Sequence, residues 1–269
     1  MRARAWAATL ALTVVALPLG GEGATAQGLA AHVKDAAGAN GTARFHFDAK
    51  PGVEVCDQGI RMGDHSYMQW HSHGWDDTPT HCTSGFLEVE VEARDGAVRD
   101  VKIVTRREDR TEGAAELGEV GAPEAAHYLL SIARASEAGK AAEHAMLPAM
   151  LADAGEVWPD LMAIARDRSL DSGVRRSALF WIGQAAGEVV SKDLQDVATA
   201  DDEDQGIRDA AVFALSQRPE DEGVSALMDV ARTAEQAKTR KTALFWLAQS
   251  KDPRVLPFFE EILLGKRGG

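Results

Sequence analysis

Residues 174–184 read VRRSALFWIGQ. From Ala178 to Gly183 no side chain is polar. A surface helix of an ordinary globule shows one apolar stripe and leaves its other side polar. A helix of this composition needs neighbours on nearly every side. Two later stretches share its pattern, IRDAAVFALSQ from 207 and TRKTALFWLAQ from 239, at spacings of 33 and 32 residues. The matched positions are Arg175, Arg208 and Arg240; Ala178, Ala211 and Ala243; Phe180, Phe213 and Phe245; Gln184, Gln217 and Gln249. Self-similarity at a period of about 20–50 residues marks a stacked repeat array.

Each copy is followed by a second amphipathic stretch. PDLMAIARD (159–167), KDLQDVATA (192–200), SALMDVART (225–233) and PFFEEILLG (257–265) align through Leu161, Leu194, Leu227 and Phe259. HYLLSIARA (127–135) fits the same frame, and AAEHAMLPAML (141–151) fills the first-helix slot one period before Val174. The helical part therefore holds about four helix pairs. In a stack, a first helix is covered by its partner and by the pairs on either side. Phe180, Trp181 and Ile182 are all expected to be buried, and Trp246 with them. Asp171 and Asp204 stand four residues before Arg175 and Arg208, where an acid caps a helix and favours its positive end. In the third copy Gln236 takes that place.

An acid four residues ahead of an Arg, then an Ala, then a Gln resembles HEAT repeats, in particular the short bacterial HEAT-like type, over residues 115–265. The resemblance implies an α-solenoid, a right-handed superhelix of antiparallel helix pairs. It also implies a ladder of hydrogen bonds between neighbouring turns through Asp171, Arg175, Asp204, Arg208 and Arg240, ending where Gln236 replaces the acid. Some members of the wider family are chromophore lyases, but no Cys or His cluster lies in this array to support that chemistry. The expected fold is mainly α: an α-solenoid of HEAT-like helix pairs preceded by a small disulfide-braced β-sheet, α+β overall.

The chain opens MRARAWAATLALTVVALPLGGEGATAQG. Arg2 and Arg4, an apolar run over 5–19 and the small residues Ala24-Thr25-Ala26 have the layout of a secretory signal peptide. Residues 1–26 are expected to be removed by cleavage near Ala26, and 27–39 to be a flexible N-terminal segment. The apolar run is shorter than the roughly 20 residues of a membrane span, so no stable membrane insertion of the mature chain is expected. The location implied is periplasmic or secreted. Net charge is −13, and the leader carries two Arg and one Glu, so the mature chain stands at −14. That balance argues against nucleic acid as a partner and suits a basic one.

Residues 40–105 read as a small β domain and 106–125 as the linker leading into the first helix. Leu87, Val89 and Val91 alternate with Glu88, Glu90 and Glu92, and after Asp95-Gly96 the apolar Val101 and Ile103 alternate with Asp100 and Lys102. Alternation around Asp-Gly signals a hairpin. A two-residue loop would oppose Val91 and Asp100. A three-residue loop, Arg94-Asp95-Gly96, opposes Val89 to Val101 and Glu88 to Lys102 and keeps one face apolar, so it is the expected one, with Gly96 left-handed. The two cysteines, Cys56 and Cys82, are expected to form a disulfide in an oxidising compartment.

The segment DHSYMQWHSHGWDDTPTHC (64–82) carries the most chemically suggestive text. His71 and His73 would share one face of a strand, His81 could join them, and Asp64, Asp76 or Asp77 could complete a tetrahedral zinc shell. Spacing matches no strict metal motif, and a His71–Asp76 acid–base pair lacks any orienting element. No cofactor is expected; zinc in the His-rich loop 65–81 is the alternative. No nucleophile motif, phosphate loop or strong metal signature is present, so no catalysis is expected. The expected function is an extracytoplasmic interaction scaffold whose partner is a protein or peptide. Second-helix acids that the core does not require, Asp160, Asp193, Asp196 and Asp229 with Glu260, are the candidate binding face.

Overall fold

The computed structural model describes residues 22–57, 59–62, 66–69, 81–135, 139–184 and 188–264. A helix, α1 (Glu22–Ala37), precedes eight strands among these residues: β1 (Gly41–Asp48), β2 (Val53–Cys56), β3 (Gly59–Met62), β4 (Ser66–Gln69), β5 (Cys82–Ser84), β6 (Phe86–Arg94), β7 (Ala97–Ile103) and β8 (Ala115–Glu119). The helices α2 (Ala122–Arg134), α3 (Lys140–Leu151), α4 (Trp158–Arg166), α5 (Ser172–Gly183), α6 (Glu188–Thr199), α7 (Gln205–Ser216), α8 (Glu220–Thr233), α9 (Ala237–Leu247) and α10 (Val255–Leu263) follow.

The first sheet has the order β7-β6-β1-β8, with β1 antiparallel to β6 and parallel to β8. Strand alternation puts Ala43, Phe45, Phe47, Leu87, Val89 and Val91 on one face, and all are buried. Helices α1, α2 and α3 pack on this sheet, with Tyr128 of α2 meeting the Phe45 ring edge-on at 6.2 Å. Burying a large apolar side chain contributes about 1.5–3 kcal/mol, so these few residues anchor the sheet to the helices.

The β6–β7 hairpin differs from the expected one. Arg94 pairs with Ala97 across a two-residue turn in which Asp95 and Gly96 have φ of 54° and 74°. Val98 then pairs with Ala93 and Asp100 with Glu92, leaving Arg99 as an extra residue. This bulge restores the parity: Val91 opposes Val101 and Glu90 opposes Lys102. The demand for one apolar face was the right constraint, but a bulge meets it in place of a longer loop.

Two boundaries also move. Residues expected to be flexible, 27–39, lie largely in α1, where Leu29, Val33 and Ala37 recur every fourth residue and are buried. The expected linker 106–125 contributes a 3-10 turn (Arg107–Asp109), the edge strand β8 and the start of α2. Residues 1–21 lie outside the described residues, and the expected processing point at Ala26 falls within α1.

The second sheet has the order β4-β3-β2-β5. Cys56 and Cys82 are cross-strand partners on β2 and β5 and form the expected disulfide. Closing a loop of sequence separation 26 stabilises the region by about 3 kcal/mol in the chain-entropy account.

Among the helices, α3, α5, α7 and α9 touch in succession, as do α2, α4, α6 and α8, and the main pairings between the two rows are α2 on α3, α4 on α5, α6 on α7 and α8 on α9. Close approach explains the small residues: Ala178, Ala211 and Ala243 are fully buried. A Cβ on Gly183 would come within 3.0 Å of the Ala214 carbonyl oxygen, so α5 and α7 nearly touch there. Trp181 and Ile182 are buried as expected, but Phe180 is 36 % exposed and Phe245 57 %. Trp246 is only partly buried. The apolar run of α5 is therefore not wrapped on all sides.

Candidate interaction surface

The repeated arginines lie inside the repeats. Arg175 and Arg208 are buried. Arg175 donates from Nε to the Ala165 carbonyl at the end of α4, 2.8 Å away. Arg208 donates to the carbonyls of Ala200 (3.1 Å) and Glu203 just past α6, and Arg240 to those of Ala234 (2.8 Å) and Glu235 (2.7 Å) past α8. Each therefore caps the carbonyl end of the preceding helix, where a cation is favoured.

The acids of the expected ladder behave differently. Asp171 caps its own helix by accepting from the Gly173 amide at 2.7 Å. Asp204 occupies the N-cap of α7 without a side-chain cap and offers its backbone carbonyl to the Arg208 amide. The carboxylate that reaches Arg175 is Glu203, bound at 3.1 and 2.5 Å. Burial pushes the Glu203 carboxyl up, but hydrogen bonds from Arg175 and the Asp204 amide, with the charges of Arg175 and Arg168, outweigh it and hold it below the ordinary 4.5. At the position expected to end the ladder, Gln236 still links turns by donating to Asp201 at 2.8 Å.

The second-helix acids are engaged as well. Asp160 pairs with Arg134 of α2 at 2.5 Å and Asp193 with Arg166 of α4 at 2.7 Å. Asp229 lies 3.8 Å from Arg232 on its own helix, and Arg232 continues the series to Glu261 of α10 at 3.0 Å. Asp160, Asp193 and Glu261 thus join consecutive second helices, while the Asp229 pair stays within α8, each exposed pair being worth about 0–1 kcal/mol. Only Asp196 of the expected four has no such pairing among the described residues. Because Asp160, Asp193 and Asp229 already face an arginine, their charge is partly answered within the chain, which weakens the case for an acidic docking face.

A different surface recurs with the repeat. Phe180, Phe213 and Phe245 each have polar residues four positions away on either side: Arg176 and Gln184, Asp209 and Gln217, Lys241 and Gln249. Residues four apart share a helix face, and all three glutamines, Arg176 and Lys241 are exposed. Phe180 stacks on Phe213 with ring centroids 6.3 Å apart, Phe213 meets Trp246 at 5.1 Å, and Trp246 meets Phe245 at 5.2 Å. A continuous aromatic row thus crosses α5, α7 and α9 with a row of carboxamides beside it.

Two polar clusters lie elsewhere. On the face of the first sheet away from its apolar core, Arg44 binds Glu90 (2.6 Å) and Glu116, and Glu90 accepts from the Thr111 amide (2.9 Å) and hydroxyl (2.6 Å). This network explains why the segment before β8 is folded onto the sheet. In a cleft of about 590 Å³ between β7, α3 and Trp181, His144 Nδ1 lies 2.7 Å from Asp100, with Lys140 3.3 Å from the same carboxylate. Burial pushes Asp100 up, and the contacts with His144 and Lys140 overcome this and hold it below the ordinary range.

His71, His73 and the acids Asp64, Asp76 and Asp77 lie outside the described residues. His81 is exposed, and its carbonyl accepts from the Asp57 amide at 3.0 Å. Ligand-type atoms of Glu54, Cys56 and Cys82 converge within 4.8 Å, but the disulfide consumes both sulfurs, and a cysteine binds zinc only as a thiolate.

Residues 194–267, from α6 through α10, match the family model for HEAT repeats. With the helical C-terminal region, that match supports a HEAT-like repeat protein. None of the curated proteins compared with the chain matches it.

Proposed function

We propose that this chain is a non-catalytic interaction scaffold acting outside the cytoplasm, in the periplasm or beyond, with its helix pairs forming a solenoid. It uses no cofactor. The observation that carries the reading is the aromatic row, which is exposed at its two ends. Large rings at repeat-equivalent positions leave apolar area in solvent, Phe180 being 36 % and Phe245 57 % exposed with Phe213 half-buried between them, and aromatic residues are enriched in protein-binding surfaces. The partner is a protein or peptide, which the extended surface of a repeat stack suits. The leader-like N-terminus and the disulfide support an extracytoplasmic setting.

A photo-reactive amino acid placed in intact cells at Gln217 on the first-helix row, and separately at Asp196 on a second helix, tests this. The scaffold reading expects a discrete adduct from at least one position. Absence of adducts from both positions, with normal protein levels, refutes it.

A further inference from the structure

The row across α5, α7 and α9 also has a charge pattern opposite to that of the chain. Net charge is −13, yet the residues one turn before each ring are Arg176, Asp209 and Lys241. Asp209 is already answered by Lys238 at 3.4 Å and by the Thr242 hydroxyl at 3.0 Å. Arg176 donates to the Ser172 hydroxyl at 3.0 Å, and neither it nor Lys241 has a carboxylate within ion-pair distance among the described residues. Three lines therefore run across the helices: the unneutralised Arg176 and Lys241 with the already answered Asp209 between them, the aromatic rings, and the carboxamides of Gln184, Gln217 and Gln249.

We propose that this strip binds an extended partner segment that is acidic along one edge and apolar along its middle. The proposal rests on the scaffold reading above and names the partner's chemistry. Carboxylates of the segment pair with Arg176 and Lys241, its apolar side chains lie on the Phe180–Phe213–Trp246 row, and its backbone meets the glutamines. A carboxamide offers both a donor and an acceptor, so it can satisfy a peptide group that would otherwise be left unpaired on binding. Packed helices lie about 8–10 Å apart, so α5 and α9 are separated by about 16–20 Å. An extended chain advances about 3.3 Å per residue, which sets the two acids about five or six residues apart with apolar residues between them. The basic partner suggested by overall charge does not fit here, because it would face Arg176, Lys238 and Lys241.

The test extends the photo-crosslinking to sequence the captured segment, then measures its synthetic peptide against purified full-length protein by fluorescence anisotropy. The expected segment carries two acids at that spacing around apolar residues. The paired reversals Arg176→Glu and Lys241→Glu are expected to weaken binding about tenfold or more, because charge pairs at an interface couple this strongly. Phe180→Ser with Phe245→Ser is expected to do the same, while Asp196→Lys leaves binding unchanged. All these positions are exposed, and a thermal melt confirms the fold of each variant. An adduct from Asp196 alone, a basic captured segment, or binding indifferent to the Arg176 and Lys241 reversals overturns the proposal and leaves the scaffold reading standing. Loss of every adduct overturns both.

Discussion

Arg175→Met removes the guanidinium that joins α4, α5 and the turn before α7. Two losses follow. The Ala165 carbonyl loses its 2.8 Å donor, and the Glu203 carboxylate, whose side chain is 8 % exposed, loses a bidentate partner. Breaking a buried ion pair from one side costs about 3–5 kcal/mol. Here Arg168 still faces Glu203 at 3.8 Å from an exposed position, so we expect about 2–4 kcal/mol, which lowers Tm by about 5–15 °C for a chain of this size. The loss depends on pH with a definite sign. Glu203 titrates below its ordinary 4.5 in the native protein, so its contribution is present above that value and is lost as pH falls through the folded pKa. In the variant only Arg168 and the Asp204 amide remain to offset burial, so protonation relieves part of the penalty. Urea melts of the two proteins should therefore differ most near pH 7, and the gap should narrow as pH falls below the ordinary 4.5 and through the folded pKa, leaving only the share owed to the Ala165 carbonyl. A second variant, Glu203→Gln in the Arg175→Met background, should recover part of the loss at neutral pH. A deficit under about 1 kcal/mol at neutral pH, or one that does not shrink in acid, refutes the assignment of Glu203 as the partner.

Phe45→Ala should cost about 3–5 kcal/mol in a chemical melt, because the ring is fully enclosed between the sheet and α2. Deleting Arg99 should leave the hairpin folded, since the two-residue turn then sets Val91 opposite Val101 with no bulge, whereas inserting one alanine after Arg99 should destabilise it by turning Val101 and Ile103 to the wrong face; urea melts of the two variants check this. Cys56→Ser should lower stability by about 3 kcal/mol, read as a shift in urea midpoint, and a reducing agent should do the same to the wild type. Sequencing of the protein recovered from the cell envelope should begin at Gln27; an intact Met1 in all fractions refutes export by cleavage.

The repeats were legible because a charged residue at fixed register inside an apolar helix has few explanations, and Arg175, Arg208 and Arg240 all answer it by capping the helix before. Their partner was not legible. The run Asp201-Asp202-Glu203-Asp204 offers four acids, and only the path of the turn decides which one meets Arg175. The hairpin teaches the same lesson about parity: alternation dictates an odd correction between Val91 and Val101 but does not say whether the turn or the strand supplies it. Strand β8 was missed because AELGE carries two acids and alternates weakly; its place is fixed by the Arg44 network and by parallel pairing far along the chain.

The partial exposure of the aromatic row, against the burial expected for Phe180 and Trp246, has a more general reason. Stacking covers a first helix from its partner and from the pairs on either side, yet it leaves an outer edge, and a surface that recurs with each unit has the same period as the core beneath it. The distinguishing signal lay in the neighbours at four residues. A core position on a helix has apolar residues there, because side chains four apart share a face. Ala178 meets this with Val174 and Ile182, and Ala211 with Ile207 and Leu215. Phe180 is bracketed by Arg176 and Gln184, Phe213 by Asp209 and Gln217, and Phe245 by Lys241 and Gln249. An aromatic ring that keeps polar company in every copy belongs to the surface, and its recurrence then has to be explained by what the surface meets.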